Sequence, residues 1–172
     1  MLISKQTPRR VVLEFGSMNC KEKRCSNCCK YGSGYVLKEE IPKIAKFLSI
    51  TPEELEKEYL EQAEKFNTKQ WRFKTTKEEG KPYGPCVFLR EPLGCIIHDA
   101  KPLHCRVGNC DAKGEELQKW FDLNHFVNPD DPESIRQYAV YLEFNEPLPG
   151  GRLEELVPNQ RKLKKILNYE II

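Results

Sequence analysis

A chain of 172 residues that sets 28 Lys and Arg against 26 Asp and Glu carries a formal charge of only +2, too little for a strong overall pull on nucleic acid or on a membrane surface. Its length suits a single domain, 1–172, with a core of its own, and no apolar run nears the roughly eighteen residues of a membrane span. The opening M-L-I-S-K-Q-T-P-R-R lacks the apolar centre and cleavage site of a signal peptide, so a cytoplasmic protein with no membrane partner is expected.

In chain order, V-V-L-E-F at 11–15 is β-branched and aromatic and predicts a short strand ended by Gly16. After the first cysteine loop, Gly32 and Gly34 allow tight backbone turns. Val36, Leu37, Ile41, Ile44, Ala45 and Leu48 then recur at three- and four-residue spacing, which predicts one apolar face on a helix over 38–48. Thr51, Pro52 and Glu54 form a capping-box signature for a second helix, with Leu55, Tyr59, Leu60 and Ala63 as its apolar stripe. In T-K-Q-W-R-F-K-T-T, 68–76, Trp71 and Phe73 alternate with cations. The pattern fits a half-buried strand, with base stacking on a single-stranded nucleic acid as the lesser alternative.

Residues 77–110 are rich in Pro and Gly, and Cys86–Leu89 and Cys95–Ile97 read as a short hairpin that would bring Cys86 and Cys95 together. From about 114 the chain is helical in outline. Leu117, Trp120 and Phe121 mark one helix, Asp131-Pro132 caps another reaching toward Phe144, and Pro158 opens a last one with Leu163, Ile166 and Leu167 inward.

The chemistry lies in eight cysteines arranged as two quartets: Cys20, Cys25, Cys28 and Cys29, then Cys86, Cys95, Cys105 and Cys110. In a reducing compartment such clusters are metal ligands or redox groups, whereas a disulfide framework belongs to secreted chains and to some hyperthermophile proteins. Cys25-x2-Cys28 is a knuckle of the kind that serves zinc and iron–sulfur sites alike. If the segment is extended, the adjacent Cys28 and Cys29 point to opposite faces, which implies two metal centres or one spare thiol. Lys21, Lys23, Arg24, Lys30 and Arg106 crowd the cysteines, and cations favour the thiolate that binds metal. His98 and His104 are auxiliary candidates, as ligands or as donors to a sulfur, and His125 is assigned no role. Radical-type C-x3-C-x2-C, haem-type C-x-x-C-H, phosphate-binding and dinucleotide-binding motifs are all absent, which removes several enzyme classes.

The segments C-S-N-C-C, P-C-V-F-L, G-C-I-I-H and K-P-L-H-C-R resemble the motifs of the YkgJ-like cysteine-cluster family of zinc- or iron-chelating proteins, over about residues 20 to 110. Cys25, Cys28 and Cys29 match its first motif, Cys86 its second, Cys95 its third and Cys105-Arg106 its fourth. The chain departs from the pattern in its x4 first spacing, in His98 where tyrosine is usual, and in Lys101 where arginine is usual. The resemblance implies a distant link to the cysteine domain of flagellin lysine methylases, although no segment beyond the cysteines supports methyl transfer.

Together these readings predict a helix-rich α+β fold with short strands and a cysteine-lined metal site in Pro/Gly-rich loops. All eight cysteines are the expected ligands. The expected cofactor is an iron–sulfur cluster, [4Fe–4S] favoured, in a redox or group-transfer role with an electron-transfer or other protein partner. The alternative is structural zinc in a module that presents a basic and aromatic surface to a protein or nucleic acid. An iron–sulfur oxidoreductase or a methyltransferase relative are the enzyme classes left open.

Overall fold

The computed structural model describes residues 2–15, 25–77, 79–108, 110 and 112–171, and it is α+β. It divides into two compact units, one of 1–16, 64–69 and 107–172, the other of 17–63 and 70–106. No linker in the sequence marks this division. Among the described residues, no helix is long and apolar enough to cross a membrane.

In the first unit, α1 (Arg9–Phe15) replaces the expected strand at 11–15. Pro8 starts it: its carbonyl accepts from the N–H groups of Val11 and Val12, at 2.9 and 3.1 Å. Only Val12 needs burial, so period-two alternation has nothing to act on. The chain then runs through α6 (Gly114–His125), α7 (Pro132–Leu142), α8 (Leu153–Leu156) and α9 (Gln160–Leu167). Leu117, Trp120, Phe121, Ile135, Tyr138, Leu163 and Ile166 are buried. Asp131 caps α7 by accepting from the Glu133 N–H at 3.0 Å. Asn159, rather than Pro158, caps α9, and Leu167 is 38% exposed instead of inward.

The second unit contains α2 (Asn27–Tyr31), β1 (Tyr35–Val36), a 3-10 turn at Lys38–Glu40, α3 (Ile41–Leu48) and α4 (Pro52–Tyr59). The capping box expected at Thr51 is present: its hydroxyl accepts from the Glu54 N–H at 3.1 Å, and its own N–H donates to the Glu54 carboxylate at 2.8 Å. That pair contributes about 1 kcal/mol.

The α4 helix stops at Tyr59, and Leu60 and Ala63 fall on β2 (Leu60–Lys65), which turns into β3 (Thr68–Phe73). Phe66 and Asn67, with φ of 49° and 55°, make the two-residue left-handed turn that suits a tight hairpin. Strand pairing therefore overrides the helical propensity of L-E-Q-A-E-K. The three strands are ordered β1-β3-β2.

Phe73 is fully buried and Trp71 packs on the core, while Arg72 pairs with Glu61 at 2.7 Å and the Lys74 ammonium donates to the Lys57 carbonyl at 2.7 Å. The W-R-F-K strand is thus a core strand with its cations engaged. Phe73 meets Phe88 edge-on at 4.9 Å, and Val36, Ile41, Ile44, Leu55, Leu60 and Ile97 complete that core.

Beyond it, β4 (Leu89–Arg90) pairs antiparallel with β5 (Gly94–Cys95), a shorter hairpin than 86–89 with 95–97. Cys95 faces Leu89, and Cys86 instead bridges to Thr75. The segment ends in a 3-10 turn at His98–Ala100 and in α5 (Leu103–Val107).

Candidate metal centre

Cys28 and Cys29 lie on α2, so their side chains diverge by about 100° rather than 180°. That correction removes the reason for assigning them to separate centres. The short helix is tied down at both ends: the Ser26 hydroxyl donates to Glu91 at 3.3 Å, and Lys30 pairs with the same carboxylate at 3.2 Å. Glu91 sits in the hairpin loop next to Pro92, so β4 and β5 help to place the first motif.

Cys86 is brought in by backbone. Its N–H donates to the Cys29 carbonyl at 2.7 Å, and its own carbonyl accepts from Leu89 at 2.9 Å. Upstream of it, Thr76 N–H donates to the Pro85 carbonyl at 2.8 Å, and a Cβ on Gly84 would lie 2.0 Å from the Thr76 carbonyl oxygen. Only glycine fits there.

Cys105 is positioned by α5, whose start is fixed by Glu40. That carboxylate accepts from the Leu37 N–H at 3.0 Å and from the Leu103 N–H at 2.8 Å. Facing it, a Cβ on Gly34 would lie 2.0 Å from the Cys105 sulfur. Gly34 has no left-handed φ, so the sequence expectation of a turn gives way to a need for space. His104, one residue before Cys105, meets Tyr35 edge-on at 4.9 Å.

The thiols influence one another. The Cys29 thiol, hydrogen-bonded to Cys28, holds Cys28 down at about 6 from an ordinary 9, with Lys101 also lowering it. The same hydrogen bond raises Cys29, and burial and the charges of Cys28, Cys105 and Cys95 raise it further. Burial pushes Cys86 up to about 11, with Cys95 and Cys28 adding to the rise and Arg90 opposing it. Burial of the Cys105 sulfur raises its pKa well above the ordinary value, reinforced by Cys86, Cys95 and Cys28. Among the described residues, Lys101 lowers Cys28 and opposes the rise of Cys105, Arg90 opposes the rise of Cys86, and Lys30 is held by Glu91.

The structure thus brings Cys28, Cys29, Cys86, Cys95 and Cys105 into one neighbourhood. Among the described residues, however, no three His, Cys, Asp or Glu side chains are drawn together so that they could hold a metal ion. Cys25 is half-exposed just before α2, and Cys110 is exposed in the unit that contains 107–172. Cys20, with Lys21, Lys23 and Arg24, lies outside the described residues. His98 leaves its Nε2 buried without a hydrogen-bond partner, and its Nδ1 is 3.5 Å from Asp99.

The donor chemistry suits a soft metal, because thiolates are the ligands that zinc and iron–sulfur centres share. The model of the CxxCxxCC family, described as "Putative zinc- or iron-chelating domain", matches residues 19–125, well over half of the chain. The chain belongs to this family. Neither a curated protein nor a solved structure matches it. In this member of the CxxCxxCC family, the matched span takes in seven of the cysteines, from Cys20 to Cys105, and Cys110 as the eighth. Sequence reading missed Glu40, Glu91 and Gly84, and it gave Gly34 a turn rather than the space beside Cys105. A lone acid or glycine in a loop carries no spacing signal, and their roles exist only once distant segments meet.

Proposed function

We propose that the chain carries a thiolate-ligated iron–sulfur centre, [4Fe–4S] favoured, used for electron or group transfer. Its ligands would be drawn from Cys20, Cys25, Cys28, Cys29, Cys86, Cys95, Cys105 and Cys110, with His98 and His104 auxiliary. The observation that carries this reading is that burial and mutual repulsion raise Cys86 and Cys105 while both lie within reach of Cys95 and Cys28. Several ionised sulfurs in one partly buried place are costly unless a cation balances them, and a metal centre supplies that charge.

Each residue has a definable part in such a site. The α2 and α5 helices aim Cys28 and Cys105, Gly34 and Gly84 leave room for close backbone approach, and Lys101 and Arg90 offset thiolate charge. When bound, the cluster would supply a one-electron couple.

Structural zinc is the second reading, favoured by the Pro/Gly-rich loops of 77–94, which carry little regular structure and need a staple. Anaerobic purification followed by metal, acid-labile sulfide and visible absorbance measurements separates the two. Iron with sulfide in a coloured protein is expected, and stoichiometric zinc in a colourless one overturns the iron reading. Replacing Cys105 by serine should release the metal.

A further inference from the structure

The outward face of α3 borders an open cleft of about 310 Å³. Lys43, Lys46 and Phe47 of α3 line one side of it, and Asp99 and Ala100 of the 3-10 turn at His98–Ala100 line the other. Helical spacing builds the first side: Lys46 and Phe47 follow Lys43 by three and four residues, so the three share one face, opposite the buried Ile41, Ile44 and Ala45. The turn builds the floor. Its Ala100 N–H donates to the Ile97 carbonyl at 2.9 Å, and both of these residues are buried, which fixes the turn before any ligand arrives. Small-molecule sites are mostly preformed clefts of about 300–1,000 Å³, so this one suits a small ligand.

The charges of the lining point to an anion. Elsewhere in this unit Lys30, Lys57 and Arg72 pair with Glu91, Glu58 and Glu61. Among the described residues, neither Lys43 nor Lys46 has such a partner, and α3 carries no acid of its own. Like charges at this spacing disfavour a helix, so the pair is not there to support α3. Asp99, the acid of the lining, lies 3.5 Å from His98 Nδ1 and pairs with neither lysine. Two ammonium groups thus face one cleft with their donors free. Beside them, Phe47, 47% exposed, offers an apolar wall. The small volume and the Asp99 carboxylate, which repels a second negative group, argue against a polyanion such as a nucleic acid.

We propose that this cleft binds a small organic anion, whose single carboxylate or phosphate group is held by Lys43 and Lys46 while its apolar body rests on Phe47 and Ala100. Ammonium donors make their stronger hydrogen bonds to ionised oxygens, and the apolar contact adds affinity that a bare inorganic ion cannot gain. The binding involves no metal and does not rest on the iron–sulfur reading.

The test titrates the full chain by calorimetry with four probes: benzoate, phenyl phosphate, benzyl alcohol and inorganic phosphate. Metal content is recorded in the same samples. Benzoate or phenyl phosphate should bind about tenfold or more tightly than benzyl alcohol, which lacks the charge, and than inorganic phosphate, which lacks the body. The tighter of the two aromatic anions tells a carboxylate site from a phosphate site. Joint replacement Lys43→Gln and Lys46→Gln should weaken that anion about tenfold or more with metal content unchanged. Phe47→Ser should weaken it in the same direction. Lys46→Gln alone, at an exposed position, covers the case in which the double variant loses its fold.

The anion site is overturned if neither aromatic anion binds, if benzyl alcohol or inorganic phosphate binds as tightly as the better of the two, or if the variants that fold keep the parent affinity. Affinity that falls in these variants, and falls in the parent chain as salt is raised, supports it.

Discussion

In the unit of 107–172, two buried donors find protein partners: the Trp120 indole donates to the Thr7 carbonyl at 2.9 Å, and the Tyr138 hydroxyl to the Gly151 carbonyl at 3.0 Å. In the cysteine-bearing unit the corresponding groups are thiols, raised by burial and by one another and placed by short helices and loops. The helical unit meets these two donors from within and leaves a carboxylate oxygen of Asp122 buried without a hydrogen-bond partner. The other gathers groups whose ionised form calls for a cation from outside. The two should therefore respond differently to loss of metal.

The largest effect expected is on stripping the metal with a chelator. Metal binding to structural thiolate sites is worth about 10 kcal/mol or more and is coupled to folding. Amide exchange should accelerate in 25–34 and 84–106 while α6, α7 and α9 keep their protection. Uniform loss across both units would break the contrast. The mirror experiment is Phe121→Ala, which empties a fully buried site and should cost about 3–5 kcal/mol with metal content retained.

Next in size is Gly34→Ala. The new methyl would collide with the Cys105 sulfur, and overpacking of this kind costs about 1–3 kcal/mol. Metal stoichiometry or affinity should fall while the helices of the other unit are untouched, as read by metal analysis beside circular dichroism. Unchanged metal affinity would remove Cys105 from the ligand set.

The smallest effect concerns Asp122, the buried carboxylate of the helical unit, which pairs with Lys65 at 2.6 Å. Burial raises its pKa above 3.8 despite Lys65, so the folded state binds the proton more tightly than the unfolded state. Its contribution to stability is present below pH 3.8 and is lost as pH rises through the higher folded value. Denaturant titrations across that window should show the loss in the parent chain and a flatter profile in Asp122→Asn. An identical profile in the two would show that Lys65 holds the carboxylate ionised throughout.

Several elements were legible from local pattern. The Thr51 box, the Ile41, Ile44 and Ala45 face and the Asp131 cap depend on neighbours within one or two turns, and the structure keeps them. The strand expected at 11–15 and the helical reading of Leu60 and Ala63 failed where short apolar runs suit either state. There Pro8 and the Phe66-Asn67 turn decided.

By itself the sequence determined the family, the donor chemistry and the two quartets, because thiol identity and spacing are local properties of the chain. The tertiary structure decided that Cys28 and Cys29 share a helix, that Cys86 hangs from the Cys29 carbonyl, and that Gly34 makes room for the Cys105 sulfur. It also set Lys101 and Arg90, remote in sequence from the first cysteine motif, where their charge lowers the Cys28 and Cys86 thiols. The physical reason is the same throughout: burial, charge and steric room are properties of neighbourhoods, and these neighbourhoods form between residues far apart in the chain, such as Gly34 and Cys105.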